Sequence, residues 1–294
     1  MIGRASRPWL WLPLLALALG AAPQGGFVPD APHPCEQCDE WNAPREPFRI
    51  FGNTYYVGTA GLSSILITTG DGLVLLDGGL PQSAPRIHAS IRKLGFDTAD
   101  IRLILNSHTH YDHAGGIAAL QRASGARVAA SREAAGALEH GGPLRDDPQY
   151  GFGASARFPK VKRVQVIRDG EVLRVGEVAV TAHFTPGHTP GGTTWTWRAC
   201  EGERCLDLVY ADSLTAVSAP GFHFGGTPGH PGVEATLRRS IARVAALPCD
   251  ILLTAHPDAS ALASLVNPQA CRSYADRMSQ RLDERLEEER AGGE

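Results

Sequence analysis

Apolar residues are spaced in two different ways along this chain, and the spacing changes at defined points. Runs at 48–51, 54–57, 64–68 and 73–76 are short and rich in β-branched and aromatic residues, with turn signals at Gly61 and Asp71-Gly72 between the later ones. That is the pattern of a strand meander. Asp77-Gly78-Gly79 ends the fourth strand, and from Pro81 to Leu94 the apolar positions Ile87 and Ile91 share one helical face. Residues 101–105 return to strand, and 114–124 read as a helix with Ile117 and Leu120 inward. Val128 marks a short strand, and Ser131 is suited to cap a helix reaching His140. Further strands fall at 161–166, 171–174, 178–184, 193–197 and 206–210. Val233, Leu237, Ile241, Val244 and Leu247 then outline an amphipathic helix. A buried strand at 251–254 and a short helix at 259–265 follow. A terminal helix is lined by Cys271, Tyr274, Met278, Leu282 and Leu286, with a fraying tail.

Strands then helices, twice over and with no linker between the halves, predict an α/β fold. Two sheets packed face to face with helices outside bury every apolar face. Residues 47–294 are expected to form one domain, and 294 residues with 43% hydrophobic content suit a large core. Two stretches, 141–158 and 216–232, are rich in Gly or Pro and lack periodicity. Loops of that length are often functional. The net charge of −3 provides no basic field for nucleic acid.

The N-terminus changes the picture. Arg4 and Arg7 precede the apolar run Trp9 to Leu19, and small residues follow at Gly20-Ala21-Ala22. This is the order of a secretory signal, too short for a comfortable membrane span. Cleavage near Ala22 predicts an exported, periplasmic protein with no membrane attachment and an extended segment at 23–46. Six cysteines in an exported chain read as disulfides. Cys200 and Cys205 flank a hairpin tip, while a bond between Cys249 and Cys271 would tie the last helix to the sheet. The spacing leaves open whether Cys35 and Cys38 bond to each other.

The chemistry concentrates after the 101–105 strand, in Asn106-Ser107-His108-Thr109-His110-Tyr111-Asp112-His113. On an extended backbone His108, His110 and Asp112 face one side, while His113 points elsewhere and can serve a second metal. Imidazoles with a carboxylate form a donor set suited to Zn(II). Two more candidates sit just past apolar strands: His188 in the tight loop Thr185 to Gly192, and His256 after the 251–254 strand. Strand ends gathered at one sheet edge are a common place for a site. His33, His88, His140, His183, His223 and His230 lack that context, although the loop of His223 could overhang the site. No Gly-x-Ser-x-Gly offers a serine nucleophile.

These residues identify a resemblance. His-x-His-x-Asp-His with the later Gly187-His188 and Ala255-His256-Pro257 resembles the metallo-β-lactamase superfamily, from about Phe48 to the end of the chain. Asp77-Gly78-Gly79 and Tyr210-Ala211-Asp212-Ser213-Leu214-Thr215 are similar to subclass B3, with Ser213 where other subclasses place a zinc-binding Cys. The resemblance implies an αβ/βα four-layer sandwich and two zinc ions per chain. His108, His110 and His188 would hold one ion, and Asp112, His113 and His256 the other. It implies hydrolysis of the β-lactam amide, an antibiotic-resistance activity, by metal-bound hydroxide that Asp112 helps to orient. The protein would act as a monomer on a small-molecule substrate. Ser213 and Thr215 would contact the substrate carboxylate, and Gln149, Tyr150, Phe152, Phe222 and Phe224 are expected on the groove walls. Asp77 would be a buried structural group. The rival within the superfamily is a thioester or lactone hydrolase, in which a carboxylate near the position of Asp212 bridges both metals.

Overall fold

A computed structural model describes residues 26–257 and 265–292. The expected signal segment and most of the helix expected at 259–265 lie outside them, and Leu265 itself is not helical. A four-residue helix, α1 (Cys38–Trp41), interrupts the segment expected to be extended. The first sheet then builds from β1 (Phe48–Phe51), β2 (Thr54–Tyr56), β3 (Ile65–Thr69) and β4 (Gly72–Leu76) as an antiparallel meander. α2 (Ala84–Lys93) leads to β5 (Ile101–Leu105). α3 (Tyr111–Ala114) and α4 (Ile117–Ser124) precede β6 (Arg127–Ala130), and α5 (Arg132–His140) precedes β7 (Val164–Val166). β4 to β7 pair in parallel, so this sheet is mixed, with the order β1-β2-β3-β4-β5-β6-β7.

The second sheet holds β8 (Val172–Val175), β9 (Val178–Phe184), β10 (Thr193–Glu201) and β11 (Arg204–Ala211). A ribbon of β12 (Gly226–Thr227) and β13 (His230–Pro231) lies in the expected 216–232 loop. After α6 (Glu234–Ala245), β14 (Ile251–Thr254) joins the second sheet in parallel beside β11, and α7 (Ala270–Arg290) ends the described fold. That sheet runs β14-β11-β10-β9-β8.

Alternation along the strands sorts side chains into three cores. Ile65, Ile67, Val74, Leu76, Leu103 and Leu105 face Val180, Trp195, Leu208, Tyr210 and Leu253 between the sheets. Their neighbours Leu66, Leu75 and Ile104 point the other way, onto Ile87, Ile91, Ile117, Leu120 and Leu138 of α2, α4 and α5. Val209 and Leu252 of the second sheet meet Leu237, Ile241, Met278 and Leu282 of α6 and α7. Both faces of each sheet are therefore covered, which is why the central strands read as unbroken apolar runs. The molecule is the expected helix–sheet–sheet–helix sandwich.

Three disulfides close it: Cys200–Cys205 across the β10–β11 hairpin, Cys249–Cys271 between the approach to β14 and α7, and Cys35–Cys38. The first two are as expected, and the third resolves the open pairing. Three local expectations need correction. The 141–158 segment contains a 3-10 helix, Tyr150–Ala156. The 114–124 helix is broken at Gly115-Gly116, where an added Cβ on Gly116 would stand 2.2 Å from the Gly78 carbonyl oxygen. The strand expected at 161–166 begins only at Val164.

Candidate metal centre

One edge of the sandwich collects the chemistry because the strands that deliver it run the same way. β4 and β5 are parallel, so Asp77 and the Asn106–His113 segment emerge together. β9 and β11 are both antiparallel to β10, and β14 is parallel to β11, so His188, Asp212 and His256 leave the second sheet on one side. Among the bonds that join the sheets there, Trp195 Nε1 donates to the Asn106 carbonyl (3.0 Å) and Thr193 N donates to the Ser107 carbonyl (2.8 Å).

The local backbone differs from the alternation expected. Past His110 the chain turns into α3, so Asp112 and His113 are helical neighbours, not alternating strand positions. The turn carries Asp112 beside His113, with 3.1 Å between Asp112 Oδ2 and His113 Nε2. His256 Nε2 lies 3.4 Å from the same Oδ2 and 3.2 Å from His113 Nε2. His108, His110 and His188 form the neighbouring triad, with ring centroids 4.8–5.0 Å apart. Their donor atoms, and those of His108, Asp112 and His113, lie within 4.8 Å of one another in two buried groups. All six expected residues are thus brought together from separated segments.

In the triad, one nitrogen of each ring is held from outside, which fixes which nitrogen faces inward. His108 Nδ1 lies 3.1 Å from Ser107 Oγ and 3.0 Å from Asp212 Oδ1, a buried oxygen with no other partner. His110 Nε2 is 3.1 Å from Asp147 Oδ1. His188 Nδ1 meets the Thr215 carbonyl at 2.8 Å and its hydroxyl at 3.2 Å. Asp147 was not singled out by sequence reasoning, which has no periodic or motif signal for it within the 141–158 loop. Under the second group, Asp77 is fully buried and accepts from Asn106 Nδ2, Ser107 N, Ser107 Oγ and Tyr210 OH, while His113 Nδ1 lies 3.8 Å from its Oδ2. It is structural, as the resemblance implied.

The protonation states suit a cation. Burial pushes His188 down to about 3, and the nearby His110 adds to this. Burial and the neighbouring imidazoles also hold His108 well below its usual range. Both rings are therefore neutral at neutral pH, with a lone pair available. Burial alone would raise Asp112, but the charge and hydrogen bonds of His113 and His256 outweigh it and keep the carboxyl well below the usual range. Asp212 is pushed well above that range by burial and by Asp77. Imidazole nitrogens of His113 and His256 meeting across 3.2 Å, each beside the Asp112 carboxylate, crowd three ligand atoms together. A divalent cation satisfies that arrangement, and nitrogen with carboxylate oxygen is a zinc donor set.

The expected groove residues divide. Tyr150 and Phe152 are exposed, Gln149 and Phe222 are partly buried, and Thr215 supports His188 through its hydroxyl. Ser213 is 8% exposed at the end of β11. Phe224 needs correction: it has no exposed surface and packs in the core with Leu237, Ile241 and Leu286. Its apolar ring gains more from that core than from the groove. Loops 141–158 and 216–232 do meet, through Ala219 N donating to the Pro148 carbonyl (3.0 Å). A cavity of about 590 Å³ lies along them, lined by Arg145, Phe222 and His223 among others. His183, outside the cluster, pairs with Thr196 Oγ1 at 2.8 Å.

Residues 58–256 match the family model of the metallo-beta-lactamase superfamily. The Rm3 metallo-beta-lactamase structure is 52% identical, covers 87% of this chain and 99% of its own, and superposes with a TM-score of 0.84. MEM-A1, a subclass B3 metallo-beta-lactamase from a soil metagenome library, is 49% identical over 86% of this chain and 99% of its own, with a TM-score of 0.83. A hydroxyacylglutathione hydrolase of Anaeromyxobacter dehalogenans is 31% identical over 55% of this chain and 50% of its own length. The chain spans about half the length of the curated relatives it matches. On its fold, its histidine-rich edge and these likenesses together, the chain belongs to the metallo-β-lactamase superfamily and, within it, to subclass B3.

Proposed function

We propose that the protein is a zinc-dependent hydrolase that opens the amide bond of β-lactam antibiotics with water. The observation that carries this reading is the approach of His113 and His256 to Asp112 beside the His108, His110 and His188 triad. The triad would hold one zinc, and Asp112, His113 and His256 a second. When bound, zinc supplies Lewis acidity and lowers the pKa of coordinated water to about 7. Asp112, kept ionised by its neighbours, is placed to orient the attacking water and accept its proton. Asp212, Asp147 and Thr215 hold the triad's rings by their outer nitrogens, so the inner nitrogens are oriented before substrate arrives. Ser213 and Thr215 are the residues proposed to receive the substrate carboxylate, with Gln149 and Tyr150 on the groove wall.

The likeness to hydroxyacylglutathione hydrolases supports a second reading, a thioester or lactone hydrolase. The position of Asp212 favours the first: it sits against the outer nitrogen of His108, not between the two groups. The three disulfides suit an oxidising compartment. No described helix is long and apolar enough to cross a membrane. We place the mature protein in the periplasm as a monomer acting on a small molecule.

A panel of a penicillin, a cephalosporin and a carbapenem, with one thioester and one lactone, tests the reading on purified protein. Turnover of β-lactams that stops on chelation and returns with zinc is expected. Thioester turnover far above any β-lactam would contradict it.

A further inference from the structure

The arm that precedes the first sheet reaches the proposed second cation site through Trp41 and packs beside it through His33. The Cys35–Cys38 disulfide closes the turn that enters α1. Cys38 is buried with Leu62 and Leu80, and Cys35, Trp41 and Tyr111 pack on the same cluster. From this base the Trp41 indole reaches His256, with 5.4 Å between ring centroids. The Trp41 carbonyl accepts from Thr59 Oγ1 (2.6 Å) and from Gly61 N (3.2 Å). A Cβ on Gly61 would stand 2.8 Å from Trp41 Cα, so the backbone of the turn at 58–63 is clamped directly on the tryptophan. Ser63 N, at the end of that turn, donates to the carbonyl of Ala255, the residue before His256 (2.9 Å).

Near its start the arm carries His33, which stacks on Tyr111 at 4.0 Å, next to Asp112. The backbone of His33 is fixed by a reciprocal pair of hydrogen bonds with the Gln82 side chain. His256 has the most open side chain of the six, at 37% exposed, whereas Asp112 is at 10% and His108, His110 and His113 at 4% or less. Packing from outside therefore matters most for its orientation. Asp212, Asp147 and Thr215, which hold the triad, all lie outside this arm.

We infer that Trp41, fixed by the Cys35–Cys38 turn, is a positioning residue for His256 that sets the affinity of the second cation site and leaves the first unchanged. The inference rests on the two-ion reading of the site. Groups that orient a ligand from behind typically change metal affinity about 10–100-fold when removed. An aromatic face that limits the rotation of a half-open imidazole acts in the same way.

The test is competition of zinc-loaded protein with a chromophoric chelator, reading the release of each ion separately. In Trp41→Ala the weaker constant should worsen by about 10–100-fold while the tighter one holds. Trp41→Phe should stay close to wild type. The double variant Cys35→Ser/Cys38→Ser, which keeps the indole but opens its base, should move the same constant in the same direction. Release of the second ion from Trp41→Ala at wild-type chelator concentrations would overturn the inference, as would a parallel loosening of both ions. His256→Ala separates the two levels of the argument. If it leaves both constants unchanged, or if wild type releases only one ion, the two-ion reading fails and the inference with it.

Discussion

At the scale of single residues, the site depends on which ring nitrogen each histidine presents. An imidazole has two, and a contact at one decides the use of the other. His110 shows this clearly, because Asp147 lies 3.1 Å from its Nε2 while also accepting from Gln149 N at 2.8 Å. Replacing Asp147 with Ala should weaken zinc binding at the His108, His110 and His188 triad by about 10–100-fold, with little change at the second group. Chelator competition measures this directly, and unchanged release of the tighter ion would remove Asp147 from the account. The six proposed ligands were legible in the sequence because four of them crowd into His108–His113 and the others follow apolar strands. Asp147 and Trp41 were not, since their roles depend on loops returning over the site, and no spacing along the chain records that return.

At the scale of elements, strand direction does most of the placing. β9, β11 and β14 run the same way, so three chain segments end at one edge without any long loop reaching across. Short apolar runs made these strands readable, and helical spacing at Leu237, Ile241 and Val244 did the same for α6. The break between α3 and α4 was hidden because it arises from the close approach of Gly116 to Gly78, a contact between segments far apart in sequence. α7 lies outermost and is held by Met278, Leu282 and Leu286 and by Cys249–Cys271, which spans 22 residues. A loop of that size confers about 3 kcal/mol in the chain-entropy view. Cys249→Ser/Cys271→Ser should therefore lower the unfolding free energy by about 2–4 kcal/mol. Denaturant unfolding would show it, while zinc binding at low temperature should persist because neither cysteine touches the six proposed ligands. An unchanged midpoint would mean that α7 is held by packing alone.

At the scale of the whole molecule, the sandwich brings two half-sites together. The first sheet supplies His108, His110, Asp112 and His113; the second supplies His188 and His256, and Trp195 and Thr193 join them at the site edge. The layer order followed from the alternation of strands and helices, because sheets with two apolar faces must be covered on both sides. Zinc-edge anomalous diffraction from crystals of the zinc-loaded protein tests the central claim most directly. The account predicts two peaks, one ringed by His108, His110 and His188 and the other by Asp112, His113 and His256, with Asp212 behind His108. A single peak, or Asp212 lying between two peaks, would contradict it.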